Sequence, residues 1–142
     1  VVPRQPPSLV GKKLPELQDI SVVLKSEQNK NKKILVCFWD MHQRPSRHCV
    51  VELAGRAEQL AQKGVTVVAI QALKMDEEAL DKWVRENGVP FSVGIIRGDH
   101  EKTRTAWGVK SFPWLILTDK NHVVRREGFT LSDLDGMLEA GD

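Results

Sequence analysis

Apolar runs separated by short polar clusters give this chain an alternation of strand-like and helix-like segments. Ile34-Leu35-Val36-Cys37-Phe38-Trp39 is unbroken apolar sequence behind the polar stretch Asn29-Lys30-Asn31-Lys32-Lys33, the pattern of a strand buried on both faces of a sheet. Between Pro45 and Lys63 the apolar positions Val50, Leu53, Ala54, Ala57, Leu60 and Ala61 fall at helical spacing, and Gly64 closes the pattern as a C-cap does. Val65 to Ile70 is a second, β-branched run, and a helix from about Asp76 to Asn87 stops at Gly88, with Pro90 just beyond. Phe91 to Ile96 reads as a third strand and Glu101 to Trp107 as a short helix. After Pro113, Trp114 to Leu117 and Val123 to Arg126 form a hairpin across Asp119-Lys120-Asn121-His122. A last helix spans Ser132 to Glu139, with Thr130 or Ser132 as its N-cap. Strand, helix and strand in alternation predict parallel pairing through right-handed crossovers, hence an α/β domain with the Ile34–Trp39 strand at its centre.

Composition narrows the class without naming a function. The 142 residues fit one domain with one core. A balance of 21 Lys and Arg against 19 Asp and Glu leaves a net charge of +2, so no electrostatic case for nucleic acid arises. No run approaches the roughly 18 apolar residues of a membrane helix, and the start lacks a signal peptide's apolar core, so this domain is expected to make no membrane contact. Val2-Pro3-Arg4-Gln5-Pro6-Pro7-Ser8 has the composition of an extended linker. The expected division is therefore a linker or terminus over 1–9 and a domain over 10–142, cut from a larger parent protein. The two cysteines, Cys37 and Cys49, make neither a disulfide framework nor a zinc pattern, and leave the compartment open. A bridge between them is disfavoured, since strand-centre and helix positions usually lie beyond the ~7 Å Cα limit.

The most informative segment is Phe38-Trp39-Asp40-Met41-His42-Gln43-Arg44-Pro45-Ser46-Arg47. It resembles the thioredoxin-type active-site turn, in which a strand ending Phe-Trp leads into Trp-Cys-x-Pro-Cys-Arg and a helix. Pro45 and Arg47 match that motif, while Gln43 and Ser46 stand at the two cysteine positions. The resemblance extends along nearly the whole chain. Val10-Gly11-Lys12-Lys13-Leu14-Pro15-Glu16-Leu17 is similar to the lead-in of the TlpA/ResA branch of redoxins, and Asp76 to Val84 with Gly88-Val89-Pro90-Phe91 to that branch's inserted helix and strand. Trp107-Gly108-Val109-Lys110-Ser111-Phe112-Pro113 resembles the block whose proline is cis, and Gly128 the glycine closing the last hairpin. The resemblance implies a thioredoxin-like fold, a central mixed β-sheet flanked by helices on both faces, and an extracytoplasmic setting.

It also exposes what the site lacks. Dithiol exchange needs a thiolate at a helix N-terminus, where unpaired N–H groups and the dipole lower its pKa, and a second thiol one turn later. Glutamine cannot attack a disulfide, and a serine hydroxyl would need a base that this motif does not supply. Cys37 stands where relatives carry a buried acid, and His42 where they carry the Trp before the first cysteine. No catalytic residue is expected at Gln43 or Ser46.

A competing reading centres on Cys49. Ser46-Arg47-His48-Cys49 followed by Glu52-Leu53 resembles the peroxiredoxin Thr-x-x-Cys-x-x-Glu-Leu motif, which implies a monothiol peroxidase or thiol oxidoreductase with Ser46 and Arg47 assisting. That alignment requires an insertion and lacks the motif's upstream proline, whereas the ungapped alignment places Cys49 one turn inside a helix, as a small semi-buried core residue. Asp40, His42, His48 and Cys49 could in principle ligate copper or zinc, but the two histidines lack the i, i+4 spacing of one helical face, and no metal or other cofactor is expected.

What remains is binding. In the thioredoxin fold the residue before the cis-proline offers its backbone to an extended peptide. Trp39, Met41, His42, Phe112, Pro113 and Trp114 are the expected apolar groove for a polypeptide or another domain of the parent protein. The expectation is a non-enzymatic interaction or structural module, with the Cys49 oxidoreductase as the alternative.

Overall fold

The computed structural model describes residues 8–15, 20–21 and 30–139. A six-stranded sheet has the order β1-β4-β3-β2-β5-β6. Its strands are β1 (Ile20–Ser21), β2 (Lys33–Trp39), β3 (Val65–Gln71), β4 (Ser92–Ile96), β5 (Trp114–Thr118) and β6 (Val124–Phe129). Its helices are α1 (Arg44–Gln62), α2 (Glu77–Glu86), α3 (His100–Ala106) and α4 (Leu131–Glu139). The β2–β3 and β3–β4 pairs are parallel, as the helical crossovers require, and β5, β6 and β1 join antiparallel. Every residue of β2 is buried, because β2 is paired on both edges and covered on both faces.

The pleat of β2 divides the core in two. Leu35, Cys37 and Trp39 join Val50, Leu53 and Leu60 of α1, Leu80 of α2 and Leu131 and Leu134 of α4 on one face. Ile34, Val36 and Phe38 join Leu9, Trp107, Val109 and Ile116 on the other. No residue of α3 itself is buried; the Trp107 that follows it carries its docking, edge-on to Phe38 with ring centroids 5.3 Å apart.

Local chemistry explains the element ends. Asp76 accepts from the Glu78 N–H to cap α2, Asp99 accepts from the Lys102 N–H to cap α3, and Gly64 ends α1 at φ +77°. The predicted elements stand with small boundary shifts, and two segments depart from expectation. β6 runs on to Phe129, and β1 adds a short strand along β4 that the sequence reading did not contain. Leu9, placed at the end of the expected linker, is buried, and the following residues run beside the last hairpin through Gly11 N–H to Val124 O and Val124 N–H to Lys12 O. Residues 1–7 of the expected linker and Glu16-Leu17 of the lead-in lie outside the described residues.

Candidate functional site

Past Trp39 the chain leaves the sheet in a turn organised by two buried polar side chains. Asp40 accepts from the His42 N–H at 3.0 Å through its carboxylate, and from the Gln43 N–H at 2.9 Å through its carbonyl. Gln71, the β3 residue paired with Trp39, accepts from the Met41 N–H at 2.9 Å and donates to Leu73 O at 3.1 Å and to the Asp40 carboxylate at 3.5 Å. Arg47 reaches back from α1 to donate to Met41 O at 2.8 Å. Asp40 and Gln71 are each almost fully buried, so these bonds satisfy groups whose desolvation would otherwise cost about 1–3 kcal/mol apiece. Sequence reasoning missed Gln71. Its signal was a polar residue directly after the Val65–Ile70 run, where a buried strand carries no amide without a partner.

The turn delivers the chain into α1. Gln43 is the N-cap residue, exposed and extended, and its side chain makes no cap hydrogen bond. No acidic residue occupies the first turn, so the helix dipole is unopposed there. This is the electrostatic setting that would acidify a thiol, yet no sulfur stands in it. Ser46 is 0% exposed, and its Oγ has no hydrogen-bond partner.

Cys49 lies in the second turn of α1 and is 5% exposed; Cys37, in mid-β2, is 0% exposed. Both thiols are free. Both belong to the core cluster between β2 and α1. Side-chain hydrogen bonding with Cys49 pushes the Cys37 pKa well up, with burial and the nearby Cys49 charge adding to the effect. The same bond lowers the pKa of Cys49 against the opposing effects of burial and the Glu52 carboxylate. Cys37 points to the face of β2 that α1 covers, and Ala69 is its register partner on the adjoining strand.

The six expected groove residues do not form one surface. Trp39 is wholly buried and packs against Trp83 with ring centroids 5.2 Å apart, on the same sheet face as Cys37. Trp114 is the register partner of Phe38 and belongs with Phe112 to the opposite face. The reason is the two-residue period of a strand: Trp39 and the partner of Phe38 must face opposite ways. Met41, half-buried, and His42, exposed, follow β2, while Phe112 and Pro113 precede β5. Because β2 and β5 are antiparallel, these four residues sit at the same end of the sheet. The Phe112–Pro113 peptide bond is cis. Gly128 has φ +67°, and a Cβ there would lie 2.6 Å from the Trp114 ring, so the glycine is required both by its backbone and by the indole against it.

His48 is exposed, as is His42, while Asp40 is committed to the turn and Cys49 to Cys37. Among the described residues no group of three or more His, Cys, Asp or Glu side chains could hold a metal ion.

A mixed sheet in this order with helices on both faces defines a thioredoxin-like fold. Residues 10–127 match the AhpC/TSA family, and the chain belongs to it. Among solved structures it is similar to the thioredoxin domain of a thiol-disulfide oxidoreductase from Bacteroides vulgatus, at 18% identity and TM-score 0.72 over 92% of this chain and 96% of that one. It is also similar to a thiol:disulfide interchange protein from Bacteroides sp., at 22% identity and TM-score 0.68 over 80% and 75% of the two chains. A thiol-disulfide isomerase from Corynebacterium glutamicum matches at 19% identity and TM-score 0.67 over 83% and 85%. A search of curated protein sequences finds no match.

Proposed function

We propose that this thioredoxin-like redoxin domain performs no dithiol exchange at its active-site turn and serves as a module that binds an extended polypeptide or a neighbouring domain. The observation that carries the reading is the content of the first helical turn: an exposed glutamine at the N-cap and a fully buried serine, with neither cysteine of the protein accessible there. The binding surface is the sheet end where Met41 and His42 meet the level of Phe112 and Pro113. It offers partly exposed apolar area and, before the proline, a strand end for backbone pairing. Trp39 is a core residue in this reading, and Trp114 supports the rim from below. The resemblance to the TlpA/ResA branch favours an extracytoplasmic setting, and no helix among the described residues is long and apolar enough to cross a membrane.

The alternative, a peroxidase using Cys49, has the lowered Cys49 pKa on its side. The geometry disfavours it. Arg47 is spent on Met41 O, the Ser46 hydroxyl makes no bond, and the sulfur is covered.

Calorimetric titration with reduced, alkylated insulin B chain tests the binding reading. Wild type is expected to bind, and Met41→Ala and Phe112→Ala to bind roughly tenfold more weakly at unchanged thermal stability. Absence of binding by wild type, or affinity indifferent to both substitutions, rejects it.

A further inference from the structure

Charge is divided unevenly at the sheet end that presents Met41 and Phe112. From Met41 to Val51 the chain carries Arg44 and Arg47 with His42 and His48, and no carboxylate. From Trp107 to Trp114 its one charged residue is Lys110, two positions before Phe112. Because β2 and β5 are antiparallel neighbours, the two stretches reach the same end of the sheet. His42, Arg44, His48 and Lys110 are exposed, and among the described residues neither Arg44 nor Lys110 has an ion-pair partner. Arg47 donates to Met41 O at 2.8 Å, which fixes its positive charge against the turn. The first turn of α1 adds to this, since it holds neither an acidic side chain nor a side-chain cap to offset the dipole.

The carboxylates around this surface are engaged elsewhere. Asp40 is buried and held by the His42 N–H and Gln71. Asp133, at the start of α4, accepts from the Thr130 N–H and hydroxyl. On the other side of β2 from β5, past the end of β3, Asp76 caps α2 and Glu77 pairs with Arg97 at 2.6 Å. The unpaired cations Arg44 and Lys110 are therefore the sequence neighbours of Met41 and Phe112, with no acid between them and those side chains.

We propose that the partner of this surface is an acidic polypeptide segment, an extended stretch with an apolar side chain set against Met41 and Phe112 and with Asp or Glu residues beside it. The inference rests on the binding reading above and adds the partner's charge. Two features favour a polypeptide over another polyanion. The cations form a small cluster, not a stripe that tracks a phosphate backbone, in a chain whose net charge is only +2. Met41 and Phe112 offer apolar area that a phosphate backbone would leave uncovered. Contacts between exposed charges are individually weak and screened by salt, so charge here selects among peptides more than it holds them. Apolar contact and backbone pairing supply the rest.

The test follows fluorescence anisotropy of matched synthetic peptides, each with a central leucine and with glutamate, glutamine or lysine at the flanking positions. At low salt, wild type is expected to bind the glutamate peptide about tenfold more tightly than the glutamine peptide, and the lysine peptide more weakly than both. Arg44→Gln with Lys110→Gln, at exposed positions, is expected to erase most of that preference and leave glutamine-peptide binding unchanged, whereas Met41→Ala weakens the glutamate and glutamine peptides alike. Equal affinity of wild type for those two peptides, or a preference that survives the double variant, overturns the acidic partner; the groove itself still stands if Met41→Ala weakens both. Failure of every peptide to bind overturns this proposal and the binding reading together. An oligothymidylate that binds as tightly as the glutamate peptide and is indifferent to Met41→Ala assigns the patch to a phosphate backbone and overturns the proposal as well.

Discussion

Asp40 and Asp119 each follow a buried strand and fold the chain back by the same device. In both, the carboxylate accepts the N–H two residues on, from His42 and Asn121, and the carbonyl accepts the N–H three residues on, from Gln43 and His122. They differ in what completes them. Asp119 receives the Arg125 guanidinium at 2.8 and 2.9 Å and leads into a hairpin, whereas Asp40 is completed by the neutral amide of Gln71 and leads into the start of a long helix. One turn ends in a strand and the other in an unopposed helix dipole. The polar framework at residues 40–47 therefore follows from turn construction.

The sharpest way to break the comparison is to remove the neutral partner. Gln71→Leu leaves the part-buried Met41 N–H unbonded and the buried Asp40 carboxylate with one partner fewer, and is expected to cost about 3 kcal/mol in denaturant unfolding. A cost below about 1 kcal/mol would mean that water substitutes for the amide and that the turn is not held from β3.

Acid separates the two turns next. Burial works to raise the Asp119 pKa, but the Val123 and Asn121 N–H groups and Arg125 outweigh it and hold the carboxyl below its ordinary value. Stability from this group is complete above the unfolded pKa of about 3.9 and fades as pH falls through the lower folded value. Asp119→Asn should flatten that acid limb, measured as melting temperature against pH below about pH 4. An unaltered limb would assign it to other carboxylates.

The smallest effect is expected at the α1 N-cap. Gln43→Ala should change stability by less than about 0.5 kcal/mol, because the side chain makes no cap bond, and Gln43→Ser should add about 0.5–1 kcal/mol by supplying one. A large loss from Gln43→Ala would show that the glutamine does work at this position that its geometry does not account for.

What was legible in the sequence follows the range of the forces involved. The runs Ile34–Trp39 and Val65–Ile70, the α1 periodicity ending at Gly64 and the Asp76 helix start are encoded by neighbours a few residues apart, and each could be read directly. Pairing across the fold was harder. Trp39 and Trp114 both flank the turn in sequence, but a single step of strand register sends them to opposite cores. The Cys37–Cys49 contact and the Gln71–Asp40 bond depend on how α1 and β3 dock onto β2, which no local pattern specifies.

Disulfide turnover at the turn tests the central claim most directly, by following insulin reduction in the presence of dithiothreitol. Wild type is predicted to show no rate above the reagent alone, and the folded double variant Gln43→Cys with Ser46→Cys a clear gain, because the helix start keeps its dipole and needs only sulfur. Wild-type turnover comparable to that of the double variant would contradict the account.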